Sequence, residues 1–130
     1  MLVTMFRELK QLAPQIYYFP YDRDPNIVQA NIGLLKLPSQ TVLIDAGNSP
    51  GHAQTLLTAM VGEGFAPIDT LIYTHHHWDH TFGAMIFNAQ QIIAHDSHRV
   101  YMRSYLSQEW TTNGLRTAMR DPDTALRLRN

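Results

Sequence analysis

The chain of 130 residues contains no cysteine, which excludes both a disulfide framework and a thiolate metal site. It also lacks an apolar run long enough to cross a membrane as a helix. Lysine and arginine number 10 against 11 acidic residues, and a formal net charge of -1 provides no field that would attract nucleic acid or an anionic membrane. We therefore expect neither nucleic acid nor a membrane as a partner, and any metal must be held by histidine and carboxylate groups.

The remaining composition is that of an ordinary globular protein. Hydrophobic residues make up 45% of the chain and charged residues 16%, which argues against disorder and for a domain with its own core. We predict a single domain over 1–130, of which 107–130 is weakly packed, because arginines there accompany little apolar periodicity. Charged residues at 7, 8 and 10 interrupt the first apolar stretch, so we predict no signal peptide and expect a cytoplasmic protein.

Apolar periodicity and strand-forming residues predict a mixed α/β (α+β) domain. Strands are predicted at 15–19, 28–37, 41–46, 70–74 and 90–94, and helices at 50–62, 82–87 and 97–106. The segment around Met5, Leu9 and Leu12 fits a short helix or an extended strand about equally well. The helix over 50–62 is the best defined, with Ser49 as N-cap and Gly64 as its stop. Its apolar face is predicted to contain Ala53, Leu56, Leu57, Met60 and Val61.

Four of the seven histidines and one aspartate lie within six consecutive positions, directly after a predicted strand. In an extended chain alternate side chains point the same way, so His75 and His77 converge while His76 points to the other side. Continuing the alternation, we predict two neighbouring metal positions, the second formed by Asp79 and His80. Imidazole and carboxylate without sulfur suit zinc first, and iron, manganese or nickel after it.

Five further polar side chains are candidates for supporting or structural roles. His95 and His98 follow a predicted strand, but their spacing equally suits the start of a helix. We expect His52 to be a polar surface residue in the first turn of its helix, and Tyr73 to belong to the core. Asp45 ends a predicted buried strand, where a supporting hydrogen bond to the metal segment is favoured over direct coordination.

The run "HHHWDH" resembles the His-x-His-x-Asp-His signature of the metallo-β-lactamase superfamily of metal-dependent hydrolases, with His75, His77, Asp79 and His80 at its four positions. The segments 42–47 and 92–98 are similar to the strands that precede and follow this signature. The resemblance spans about 15–106 and implies an αββα sandwich, of which this chain is expected to be the amino-terminal half. The signature with Trp78 inside it is similar to that of hydroxyacylglutathione hydrolases. The Gly-Gly pair that is typical after the signature appears here only as Phe82-Gly83.

The resemblance also implies a reaction. The four signature residues are expected to ligate two zinc ions, with Asp79 additionally positioning the attacking hydroxide and taking its proton. Zinc lowers the pKa of bound water to about 7, so hydroxide is available at neutral pH to attack a small-molecule ester, thioester or lactone.

One departure from the family pattern leaves three interpretations open. The resemblance implies a third histidine and a bridging carboxylate from beyond residue 106, but no histidine follows His98, and Asp121 and Asp123 do not follow a predicted strand. The chain is then half of a longer hydrolase, or a homodimer in which a second copy completes the site, or a half-domain without activity that pairs with a partner. A di-iron oxidoreductase of the same fold is disfavoured, because that branch prefers glutamate where this chain has His77.

Overall fold

The computed structural model describes residues 7–107, 111–118 and 120. By its internal contacts the chain divides into two compact units, of which the first ends at His95 and the second begins at Asp96. Within the described residues, no helix is long and apolar enough to span a bilayer.

The first unit contains a six-stranded mixed sheet. Its strands are β1 (Lys10–Ala13), β2 (Ile16–Phe19), β3 (Ile32–Lys36), β4 (Thr41–Ile44), β5 (Thr70–Ile72) and β6 (Gln91–Ile93). They lie side by side in chain order; β1 to β4 are antiparallel, and β4, β5 and β6 are parallel. The helices are α1 (Pro50–Gly62) and α2 (Trp78–Thr81), followed by a 3-10 turn at Ala84–Ile86. The predicted α/β class is confirmed.

The second unit is helical where it is described. It contains α3 (Asp96–Leu106) and α4 (Thr112–Ala118). The helix predicted at 97–106 is confirmed, beginning at Asp96. Asp121 and Asp123 lie outside the described residues, and the weak packing predicted for 107–130 stays a prediction.

The core lies between one face of the sheet and α1. Leu34, Leu43 and Leu71 are paired in register on neighbouring strands and are fully buried. They belong to one apolar cluster with Leu56 and Met60 of α1. Because this packing fixes β4 and β5 side by side, it also fixes the loops that leave their carboxyl ends.

Helix α1 follows its predicted signals except at its last turn. The Ser49 hydroxyl accepts a hydrogen bond from the His52 amide at 3.2 Å, and Gly64 has a φ of +69°, a conformation that glycine adopts without steric cost. Val61 is 69% exposed, so its predicted place on the apolar face is wrong. Val61 lies in the last turn of the helix, one residue before its end at Gly62.

His52 is buried, with 4% of its surface exposed, which corrects the prediction of a surface residue. Its Nδ1 accepts from the Asn48 amide at 3.3 Å, and its ring lies 5.9 Å from that of Phe19. Burial lowers the pKa of His52 to about 4, helped by the charge of Arg7 and opposed by Asp22. The burial of His52 depends on contacts with the preceding loop and with Phe19, and apolar periodicity within the helix does not indicate such contacts.

Two strand predictions need adjustment. The ambiguous amino-terminal segment is extended at Lys10–Ala13, not helical. The strand predicted at 28–37 begins only at Ile32, after a loop in which side chains replace ladder hydrogen bonds. There Asp22 accepts from the Asp24 amide and Asp24 from the Asn26 amide, both at 2.9 Å.

Candidate metal centre

The candidate site is built where the two central parallel strands end. Asp45 directly follows β4, and Tyr73 and Thr74 follow β5 before the histidines begin. The Asp45 amide donates to the Ile72 carbonyl at 2.9 Å, which holds the two strand ends together. The carboxyl ends of parallel strands meet at one sheet edge, the usual position of a binding site in α/β folds.

Asp45 is the centre of the hydrogen bonding at this edge. Asp45 is 4% exposed, and its backbone has a φ of +65°, a left-handed conformation that aspartate tolerates better than most residues. Oδ1 accepts from the Thr74 amide at 2.8 Å, and Oδ2 accepts from the Thr74 hydroxyl at 2.7 Å. Oδ2 also lies 2.7 Å from Nδ1 of His80. The predicted hydrogen bond from Asp45 to the histidine segment is confirmed.

The rings of His75 and His77 converge as predicted, with centroids 4.7 Å apart. The extended alternation stops at His77, which is the N-cap of α2, so the prediction that it continues through Asp79 is wrong. Asp79 and His80 instead lie on a single helical turn. Helix α2 has only four residues, so the alternation of a strand gives no sign that the chain turns there.

The helical turn folds His80 back over the start of the segment. The ring centroids of His80 and His75 are 4.0 Å apart, closer than those of His75 and His77. Asp79 Oδ2 lies 3.5 Å from His80 Nε2. The four signature side chains therefore lie in one region, and the group whose ligand atoms approach within 4.8 Å comprises Asp45, His75 and His80. The division of these ligands between two ions stays a prediction.

The donor atoms fit a divalent cation in number and in chemistry. One ligand atom each from Asp45, His75 and His80 lies within 4.8 Å of the others. If His80 Nδ1 carries the proton that it shares with Asp45, its Nε2 lone pair is left for a cation. His75 Nδ1 lies 2.9 Å from the Thr74 hydroxyl. If Nδ1 carries the proton in this contact, the Nε2 lone pair of His75 is also left for a cation. Nitrogen and oxygen donors in this arrangement suit zinc.

The electrostatics at His75 favour its neutral imidazole, which is the form that binds metal. The pKa of His75 is lowered first by burial and then by the neighbouring His80 and His77, against the opposing charges of Asp45 and Asp79. A proton on the His75 ring is therefore unfavourable while the two neighbouring rings lie so close.

Gly83, which the sequence presented only as a departure from a Gly-Gly pair, fixes the position of α2. A Cβ atom at this position would lie 2.1 Å from the Ala46 carbonyl oxygen and 2.7 Å from the Ala53 side chain. The Ala46 amide donates to the His80 carbonyl at 2.7 Å, and the Gly83 amide donates to the Gly47 carbonyl at 3.1 Å. Only glycine allows the ligand turn to lie this close to the loop after β4.

The other sequence candidates have varied positions. Tyr73 is packed against the core, in line with its predicted role, and burial followed by the charge of Asp45 raises its pKa to about 12. His95 is exposed at the end of the first unit, and His98 is buried within α3. The His76 ring lies 4.9 Å from that of His77. Sequence reasoning missed Thr74, whose position between strand and histidines was the only available signal.

Comparisons with known proteins agree with this fold. A family model described as the metallo-beta-lactamase superfamily matches residues 25–126. A linear primary-alkylsulfatase from Pseudomonas sp. (strain ATCC 19151) is 25% identical over 81 residues, which are 62% of this chain and 15% of that protein.

Two solved structures show the same fold. The stereoselective inverting sec-alkylsulfatase Pisa1 from Pseudomonas sp. superposes with a TM-score of 0.61 at 21% identity, over 88% of this chain and 18% of its own. The subclass B3 metallo-beta-lactamase BJP-1 of Bradyrhizobium japonicum gives a TM-score of 0.52 at 28% identity, over 65% of this chain and 31% of its own. The chain thus spans about a sixth of the alkylsulfatases and a third of this β-lactamase.

Proposed function

Since this chain belongs to the metallo-β-lactamase superfamily, a family of metal-dependent hydrolases, we propose that it carries the metal-binding part of a zinc-dependent hydrolase acting on an ester, thioester or lactone. One observation carries the proposal: Asp45, His75 and His80 offer ligand atoms within 4.8 Å of one another, and His77 and Asp79 lie next to this group. Such a group is difficult to explain as a histidine-rich surface loop.

The proposed roles follow the family signature. His75 and His77 would hold one zinc ion, and Asp79 and His80 would hold a second. Bound zinc supplies Lewis acidity, which lowers the pKa of a coordinated water and polarises the substrate carbonyl. Asp45 keeps the His80 ring in the tautomer that leaves Nε2 free. Asp79 orients the attacking water and accepts its proton.

Sulfate esters of alkyl alcohols are a further substrate class within this proposal. The matched curated relative is named a linear primary-alkylsulfatase, and a sec-alkylsulfatase structure superposes on 88% of this chain. A sulfate monoester carries an anionic oxygen that a metal site can neutralise, and a carboxylic ester develops one when hydroxide adds to its carbonyl.

A half-domain that needs a partner chain is the second candidate. It is favoured by the sequence, which has no histidine after His98 that could complete a three-histidine site. The sheet face opposite the core also presents Ile16 and Ile93, 42% and 45% exposed, where a second copy in a homodimer could pack. In this case the partner would contribute the third histidine and the bridging carboxylate.

One experiment separates these candidates. Zinc uptake and the hydrolysis of an aryl ester, a thioester, a lactone and an alkyl sulfate are measured on wild type and on His77→Ala, with the molar mass determined by light scattering. Zinc-dependent hydrolysis that His77→Ala abolishes supports the hydrolase. Zinc uptake without hydrolysis supports the incomplete half-domain. A wild-type protein that takes up no zinc contradicts both, and iron in the purified protein would favour an oxidoreductase.

A further inference from the structure

The Thr74 hydroxyl connects the buried Asp45 carboxylate to a second histidine of the candidate site. Its oxygen lies 2.7 Å from Asp45 Oδ2 and 2.9 Å from His75 Nδ1. The same carboxylate oxygen lies 2.7 Å from His80 Nδ1. The carboxylate, the hydroxyl and the two imidazoles therefore form one connected chain of hydrogen bonds, which ends at a ring nitrogen on each side.

The direction of each hydrogen bond in this chain follows from counting protons. An ionised carboxylate only accepts, and a hydroxyl has a single proton to donate. The Thr74 hydroxyl must give that proton to Asp45 Oδ2, because two oxygens 2.7 Å apart without a hydrogen between them repel each other. The Thr74 oxygen then has only lone pairs to offer His75. Nδ1 of His75 must therefore carry a proton and donate it to Thr74.

The same count gives both rings one orientation of charge. His80 Nδ1 must also carry a proton, because its partner is the carboxylate oxygen. Both rings, whose centroids are 4.0 Å apart, thus leave Nε2 unprotonated. Asp79 Oδ2 lies 3.5 Å from Nε2 of His80, and two electron-rich atoms at this distance are stabilised by a cation between them. The chain of hydrogen bonds therefore reserves two Nε2 lone pairs for a metal ion.

The backbone at Thr74 holds this geometry without the hydroxyl. The Thr74 amide donates to Asp45 Oδ1 at 2.8 Å, and the Asp45 amide donates to the Ile72 carbonyl at 2.9 Å. Thr74 itself is exposed. Removal of the hydroxyl alone therefore leaves the backbone contacts in place and costs little packing, so its effect on the neighbouring ring can be measured in a folded protein.

We propose that Thr74 is a positioning residue that sets the tautomer of His75. Asp45 thereby fixes two rings, one directly and the other through a hydroxyl. The inference rests on the proposed function for its purpose, which is to present Nε2 lone pairs to zinc, whereas the tautomers themselves exist without the metal. The opposite tautomer of His75, with its proton on Nε2, would block coordination at that nitrogen.

The tautomers are measured by long-range proton–nitrogen NMR on metal-free protein labelled with nitrogen-15 histidine, at about pH 8, where imidazole is neutral. We expect protonated Nδ1 on His75 and His80 in wild type and in Thr74→Ser, which keeps the hydroxyl. In Thr74→Val the His75 signals should move toward the form protonated on Nε2, and those of His80 should stay. Thr58→Val is the matched control: it removes another exposed hydroxyl, which donates to the Gln54 carbonyl at 2.9 Å, and should change neither ring.

A double substitution tests the path through Thr74. In Asp45→Asn the new amide donates to the Thr74 oxygen, so the hydroxyl turns its proton toward His75 Nδ1 and His75 changes tautomer. Asp45→Asn added to Thr74→Val should therefore change the His80 signals but not those of His75. A further change at His75 in the double variant would show that Asp45 acts on this ring by another route, and would overturn the inference.

The remaining outcomes separate this inference from the proposed function. A wild-type His75 protonated on Nε2, or equal His75 signals in Thr74→Ser and Thr74→Val, also overturns it. Zinc affinity is measured separately by competition with a chelator. A loss of about 10- to 100-fold in Thr74→Val but not in Thr74→Ser supports the positioning role, and an unchanged affinity in Thr74→Val contradicts it. A protein that takes up no zinc but shows the expected tautomers refutes the proposed function and retains the assignment of the protons.

Discussion

Replacement of Asp45 by asparagine tests the organisation of the site. Asparagine has the same shape and tolerates the φ of +65° at this position, so the backbone is retained. Its carbonyl oxygen can still accept from the Thr74 amide. Its amide group, however, takes the place of Oδ2, which accepts from both the Thr74 hydroxyl and His80 Nδ1. The new amide group, which donates, then faces the Thr74 hydroxyl and His80 Nδ1, which both donated to Oδ2 of the aspartate.

The expected magnitude follows from the His80 tautomer. To accept from the new amide, His80 must move its proton from Nδ1 to Nε2, the nitrogen proposed to bind zinc. Loss of a carboxylate that supports a metal-binding histidine typically weakens metal affinity 10- to 100-fold, about 1.4 to 2.7 kcal/mol. The mispaired amide also destabilises the fold by about 1 to 3 kcal/mol.

Zinc affinity is measured by competition with a chromophoric chelator, alongside thermal unfolding of the metal-free protein. Asp69→Asn is the matched control, because Asp69 Oδ2 accepts from the Thr41 amide at 2.7 Å at the opposite end of the same strands. We expect Asp69→Asn to lower stability but to leave zinc affinity unchanged. Wild-type zinc affinity in Asp45→Asn, or an equal loss in both variants, would refute the proposed role of Asp45.

Three further predictions concern the ligands, the packing and the pH dependence. His77→Ala should abolish zinc uptake at the first position while His76→Ala leaves it nearly intact; equal losses in the chelator assay would contradict the assignment. Gly83→Ala should destabilise by about 3 kcal/mol, because its Cβ meets a backbone oxygen at 2.1 Å, whereas Gly62→Ala, with open space around it, should stabilise by about 0.5 to 1 kcal/mol in urea unfolding. His52 stays neutral in the fold to about pH 4 but takes up a proton near its ordinary value of 6.5 when unfolded, so stability should fall by at most about 3 kcal/mol as the pH drops through that window. In His52→Leu this part of the pH dependence should disappear, and an unchanged curve would show that His52 is accessible to protons in the fold.

Local signals predicted the elements that local interactions determine. The N-cap Ser49, the terminating Gly64 and the apolar spacing between them defined α1 within the chain itself. Strands β3 and β4 were predicted because strand-forming residues flank a short turn, although β3 begins later than expected. The convergence of His75 and His77 followed from alternation along an extended backbone.

The features that were missed depend on contacts between distant segments. The turn that returns His80 to His75 has only four residues, too few to show helical periodicity. Its position depends on Gly83 meeting the loop after β4, 36 residues earlier at Gly47. The burial of His52 likewise requires Phe19, from a different strand. A short stretch of sequence contains only one of the two segments in each contact, so it cannot predict this packing.

X-ray absorption at the zinc edge tests the central claim most directly, because it reports the atoms bound to the ion. The account predicts imidazole ligands with zinc to nitrogen distances of about 2.0 to 2.1 Å. It also predicts that the imidazole signal decreases in His77→Ala and is retained in His76→Ala. A zinc shell of oxygen atoms alone, or one that neither substitution changes, would contradict the gathering of these histidines around a metal ion.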